Sequence, residues 1–113
     1  MDKELLAVKE AYHALDQKFG ADIVIMDIRE ISVVADYFII ATGGNVLQLQ
    51  ALADAAEEAL AKHGFPLGHI EGMRSANWIL LDFGSIIVHL FDKENRPFYN
   101  LERVWGDAKL VTP

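Results

Sequence analysis

A helix-period stretch over residues 45–63 stands between apolar runs of strand length, and no other feature limits the fold of this chain so tightly. Leu49, Leu52, Ala53, Ala56 and Leu60 recur at steps of three and four, which gathers them on one face of a helix. Such a face must be buried against another layer, and the neighbouring apolar runs supply a sheet for it. Asn45 and Gln48 have capping-box spacing, with Asn where Ser or Thr is more usual. Gly64 and Pro66 stop the helix.

The remaining elements follow from the same periods. Residues 3–19 carry a second helical stripe, Leu5, Val8, Tyr12, Leu15 and Phe19, with Asp2 as cap and Gly20 as a left-handed terminator. Residues 22–28 and 37–42 read as strands, joined by a short, partly apolar link over 29–36. Three further strands are predicted at 67–71, 77–83 and 86–91. Gly84-Ser85 between the last two is a two-residue loop with glycine first, which suits a type II′ hairpin. Phe98, Leu101 and Trp105 fall at helical steps and predict a short helix or turn packed back on the sheet. The pattern predicts an α/β chain of the α+β type, with a mixed five-stranded sheet and flanking helices. The long helix is a right-handed crossover if the strands it joins are parallel. A length of 113 residues suits a single domain, 1–113, with its core over about 3–108 and a short tail at 109–113.

Composition narrows the chemistry. Apolar residues make up 52% of the chain, enough for a core at this size. The absence of cysteine excludes disulfides, thiolate catalysis and cysteine-based zinc sites. No basic start precedes an apolar secretory segment, and no apolar run is long enough for a bilayer, so a soluble cytoplasmic protein is expected. The net charge of −7 comes without any Lys/Arg cluster, which argues against dedicated nucleic-acid binding. That charge either keeps the chain soluble or attracts a basic protein partner.

Catalytic signatures are missing. His13, His63, His69 and His89 show no close ligand spacing, so no metal site is expected. His89 sits inside an apolar strand and reads first as a hydrogen-bonded sheet histidine. Gly43-Gly44, between a strand and a helix start, either cradles phosphate or only turns the chain into its cap. A nucleotidyltransferase would add two closely spaced carboxylates on a neighbouring strand, and no Asp-x-Asp or Asp-x-Glu follows the long helix. No catalytic residue and no cofactor are assigned. Alternation puts Ile79, Leu81 and Phe83 on a wholly apolar face, and Trp78, Leu80 and Asp82 on the other. An aromatic beside a carboxylate suits a face covered by a partner, or one roofed by the protein's own helix.

Several stretches in order resemble one family. They are Asp36-Tyr37-Phe38-Ile39-Ile40-Ala41-Thr42-Gly43, then Gln48, Ala51 and Ala53, Glu71-Gly72, and Trp78-Ile79-Leu80-Leu81-Asp82. Gly84, Val88-His89-Leu90-Phe91, Arg96, Phe98-Tyr99-Asn100-Leu101-Glu102 and Trp105-Gly106-Asp107 complete the set, over roughly 3–108. The chain is similar to the iojap family, whose bacterial members are called ribosomal silencing factors. The resemblance implies a nucleotidyltransferase-like fold without catalytic carboxylates. It also implies a role: binding the large ribosomal subunit through a basic protein, number fourteen of its series, at the face that meets the small subunit. Subunits then stay apart and translation falls under nutrient limitation. Gly44-Asn45-Val46-Leu47 departs from the Ser-rich turn of relatives, which tells against a phosphate or RNA contact there.

On that reading the expected docking surface is Trp78, Leu80 and Asp82 with His89, Arg74 and Tyr99. Trp78 is the desolvated anchor, Asp82 pairs with a partner Lys or Arg, and Arg74 and Tyr99 complete the rim. An apolar docking face also admits homodimerisation of the free protein. The alternatives are an unconventional nucleotidyltransferase, or an adaptor for another basic protein.

Overall fold

The computed structural model describes residues 2–72, 78–94 and 108–113. It contains α1 (Lys3–Gln17), β1 (Ala21–Asp27), β2 (Tyr37–Gly43), α2 (Val46–Lys62), β3 (His69–Glu71), β4 (Trp78–Asp82), β5 (Ile86–Asp92) and β6 (Lys109–Leu110). The α+β class and the mixed sheet are as expected, but the sheet has six strands, in the order β3-β4-β5-β2-β1-β6. The added strand comes from residues read as a tail. Two residues carry no periodicity, so only their pairing with β1, Leu110 beside Met26 and Lys109 beside Asp27, makes them a strand. The turn expected over 97–105 lies outside the described residues.

The parallel pair β2–β5 forms the centre of the sheet and every other pairing is antiparallel. Both central strands are buried almost throughout, which is why they read as continuous apolar runs. β3 runs parallel to β2, yet β4 and β5 lie between them, so α2 carries the chain past two strand positions to the edge.

Both helices cover one face. Ala7, Val8, Ala11 and Leu15 of α1 and Leu49, Leu52, Ala53, Ala56 and Leu60 of α2 pack on Ile25, Ile39, Ile79, Leu81, Val88 and Leu90. Asp2 caps α1 by accepting from the Glu4 N–H, and Asn45 caps α2 by accepting from the Gln48 N–H. The two helices end alike. At α2 the Phe65 N–H bonds the Leu60 carbonyl and Gly64 takes the left-handed position, φ 88°. At α1 the Gly20 N–H bonds the Leu15 carbonyl, and the left-handed residue is Phe19, φ 64°, rather than Gly20.

This corrects the expected stripe. The helix stops at Gln17, so the next step of its period is not made and Phe19 is 84% exposed. A bulky side chain in this conformation costs about 1–2 kcal/mol, and glycine's extra freedom in the unfolded chain returns about half of that. Phe19→Gly is therefore expected to raise stability by about 0.5–1 kcal/mol, read as a later midpoint in urea. A midpoint that stays or falls would show that the ring makes contacts worth more than the strain.

The link from β1 to β2 is pinned by a fork. Arg29 Nε and Nη2 donate to the two carboxylate oxygens of Asp27 at 3.0 and 2.8 Å, and the guanidinium lies 5.3 Å from the Tyr37 ring centre. The fork holds the Asp27 carboxyl below the usual carboxylate range. β1 also carries a bulge between Ala21 and Val24, with Asp22 at φ 49°, so strand parity does not run unbroken from Asp22 to Asp27.

Candidate docking face

The second face of the sheet is built by parity and register together. β4 contributes Trp78, Leu80 and Asp82, opposite Phe91, His89 and Ile87 of β5. β2 lies on the other side of β5 and places Phe38 beside Ile87 and Ile40 beside His89. β1 adds Val24 and Met26, opposite Ile40 and Phe38. The result is a second apolar cluster of Met26, Ile28, Ala35, Phe38, Ile40, Ile87 and Phe91, with Val24, Trp78, Leu80 and Ala108 packed against it. Neither α1 nor α2 contributes to this cluster, because both belong to the first.

Its chemical centre is a group of rings. The Trp78 indole lies on Phe91 with ring centres 5.5 Å apart and planes 24° from parallel. Trp78 Nε1 donates to His89 Nδ1 at 3.1 Å. Phe38 meets the His89 ring edge-on, centres 4.7 Å apart and planes at 75°. Because Nδ1 accepts, the single proton of the neutral imidazole belongs on Nε2. That Nε2 is buried and has no hydrogen-bond partner among the described residues. Burial among apolar groups pushes the His89 pKa down to about 4, so the ring is neutral at pH 7.

The expected site residues therefore separate. Trp78, Leu80 and Asp82 do share a face and are half-buried. His89 is on that face but only 5% exposed, and its Nδ1 is taken up by the Trp78 indole N–H rather than open to a partner. Asp82 is partly committed to the fold, since Oδ1 accepts the Gly84 N–H at 2.8 Å across the hairpin turn. Gly84 holds φ 89° at the first loop position, as the hairpin reading required. Arg74 and Tyr99 lie outside the described residues. Sequence reasoning missed Phe91 as the bed for Trp78 and Phe38 as the ring against His89. Their runs are apolar on both faces, so alternation marks neither side.

The Gly43-Gly44 turn is occupied by its own chain. The Gly44 N–H donates to Gln48 Oε1, the Gln48 N–H donates to Asn45 Oδ1, and Gln48 Nε2 donates to the Phe19 carbonyl at 2.9 Å. Gln48 thus ties the start of α2 to the end of α1, and the turn acts as a cap. Gly43 is also closed by packing, since a Cβ there would stand 2.8 Å from Leu49 Cδ2. Among the described residues no three His, Asp or Glu side chains gather to hold a metal ion. None of the described helices is long and apolar enough to cross a membrane.

Fold and face together define a class of protein: an α+β domain with one sheet face under two helices and an aromatic second face centred on a Trp–His pair. The sequence profile described as ribosomal silencing factor during starvation matches residues 2–113, and this chain belongs to that family. It is 42% identical to the ribosomal silencing factor RsfS of Bacillus subtilis over 104 residues, 92% of this chain and 88% of the relative. It is 33% identical to the chloroplastic protein Iojap of Arabidopsis thaliana over 93% of this chain and 43% of that protein. A crystal structure from Chromobacterium violaceum superposes with a TM-score of 0.85 at 31% identity, covering 94% of this chain and 88% of the other. One from Bacillus halodurans gives 0.80 at 33% identity, covering 99% and 100%.

Proposed function

We propose that this protein silences translation by occupying the large ribosomal subunit where the small subunit must join. The contact is made through a basic protein of that face, number fourteen of the large-subunit series. The carrying observation is the match to ribosomal silencing factors over residues 2–113. A mouse relative, 32% identical over 80% of this chain and 41% of its own length, is named for mitochondrial assembly of the ribosomal large subunit. The net charge of −7 supports a basic partner and opposes loose binding to ribosomal RNA.

The docking surface in this reading is the aromatic face. Trp78 is the anchor, Leu80 adds apolar area, and the Asp82 carboxylate pairs with a partner Lys or Arg. Arg74 and Tyr99 complete the rim. Blocking needs occupancy and bulk, so the role is not catalytic and calls for no cofactor. It is exercised in the cytoplasm, where the ribosomes are. The same face invites self-association of the free protein, which a concentration series in analytical ultracentrifugation reads directly.

The test is sedimentation with separated subunits at physiological salt. The protein is expected with the large subunit alone, together with fewer joined ribosomes. Its absence from both particles would overturn the reading. Trp78→Ala is expected to weaken docking by about 2 kcal/mol, close to thirtyfold. An unchanged affinity in a folded variant would remove Trp78 from the interface.

A further inference from the structure

His89 makes two demands that a residue of the core alone would not make. It accepts the Trp78 indole N–H at 3.1 Å, and it leaves its own Nε2 buried without a partner among the described residues. An unsatisfied buried donor is destabilising, and a phenyl ring would fill the same apolar site without one. Among the described residues the surroundings give no other reason for a polar ring. Leu80 and Ile40 lie opposite it on the two neighbouring strands, and Phe38 and Phe91 touch its ring. The first of the two demands, the bond to Trp78, is what the imidazole accomplishes.

We infer that His89 is a positioning residue for docking: by accepting the Trp78 N–H it holds the indole flat on Phe91, in the one orientation that presents it to the partner. The inference rests on the docking role proposed above for Trp78. Without the bond, Trp78 keeps its apolar bed but gains rotational freedom, because its N–H must turn elsewhere for an acceptor. Docking then pays the entropy of fixing it again. With the bond, the anchor is fixed before the partner arrives. His89 itself stays covered and contacts nothing outside the protein.

Two variants separate positioning from structure. His89→Phe keeps a ring in the site and removes the acceptor. His89→Asn shrinks the side chain but keeps an acceptor one bond beyond Cγ, where Nδ1 stands. The two rankings should run in opposite directions. In urea, His89→Phe should be at least as stable as the wild type and His89→Asn less stable. In binding to purified bacterial large ribosomal subunits, His89→Phe should be weaker by about tenfold, the equivalent of one hydrogen bond, with His89→Asn recovering most of the loss. In proton NMR of the free protein, the Trp78 indole N–H, assigned with Trp78→Phe, should exchange with solvent faster in His89→Phe than in His89→Asn.

The failures are distinguishable. A wild type that does not bind the subunit overturns the docking role and this inference with it. Binding of the wild type with no loss in Trp78→Ala overturns the use of Trp78 as anchor. A loss in Trp78→Ala with full binding by His89→Phe overturns the positioning role alone. Docking that merely follows stability, with His89→Asn the weaker binder, assigns His89 to the core.

Discussion

Acidification from pH 7 to pH 4 is expected to remove about 3 kcal/mol of folding stability through His89 alone. The sign follows from where the protons sit. Burial among apolar groups lowers the folded-state pKa from the ordinary 6.5 to about 4. Between those two values the unfolded chain binds a proton that the folded chain refuses, so stability rises with pH across this window. The contribution is complete above pH 6.5, declines as the pH falls, and levels off below pH 4. Desolvation is the cause of the shift; the direct neighbours of His89 on β2 and β4 are Ile40 and Leu80, and the nearest charge on that face of β4, Asp82, stands one pair further along, opposite Ile87.

Carboxylates add an acid loss of their own, Asp27 among them, since Arg29 holds its carboxyl low. The His89 share is isolated by comparison. Urea unfolding of the wild type and of His89→Phe at pH 7, 5.5 and 4 should give two curves that diverge by about 3 kcal/mol toward acid, with the variant the more stable there. Parallel curves would mean that the imidazole finds a proton-stabilising partner in the folded protein.

Gly72→Ala should destabilise the protein by about 3 kcal/mol and misplace Trp78, the anchor in the proposed docking role. Gly72 follows β3 with φ 85°, in the left-handed region, where a Cβ costs about 1–2 kcal/mol. The methyl would overlap the Trp78 carbonyl oxygen at the start of β4. That neighbour is backbone, so it cannot rotate away, and relief requires the two strands to part. Forced repacking of this kind adds about 1–3 kcal/mol. Gly84→Ala is the control. Its φ of 89° carries the same conformational penalty, but nothing lies within 4 Å of the added Cβ. The excess of the first variant over the second measures the overlap. Equal losses would show that the β3–β4 end yields freely, and wild-type docking by Gly72→Ala would show that Trp78 does not depend on it.

Much of the site was legible because its determinants are local. Alternation along one strand separates Trp78, Leu80 and Asp82 from Ile79 and Leu81 whatever the rest of the chain does. The Gly84-Ser85 loop has two residues, so the hairpin that it closes must set Trp78 opposite Phe91 and Leu80 opposite His89. The Trp78–His89 contact was therefore implicit in the sequence, although neither residue type announces it. The caps Asp2 and Asn45 were visible for the same reason, since each acts within one helical turn.

What the sequence could not reveal depends on chain segments that are distant in order. Pairing of β2 with β5 brings Phe38 against His89 across about fifty residues, and no short-range pattern encodes which strand becomes the neighbour. β6 is a strand only because β1 has a free edge for it. Phe19 belonged to a helical stripe by spacing, and left it because the Gly20 N–H closed onto Leu15 and stopped the helix two residues earlier. The capture of the Phe19 carbonyl by Gln48 is another contact between two helices that spacing cannot foresee. By itself the sequence determined the helices, four of the strand runs to within a residue or so at each end, the faces of β4 and the register of its hairpin, because these rest on periods and turns of a few residues. Strand order, the depth of His89 and the aromatic bed under Trp78 were decided only by tertiary structure, where non-local pairing chooses among strands that look alike in isolation.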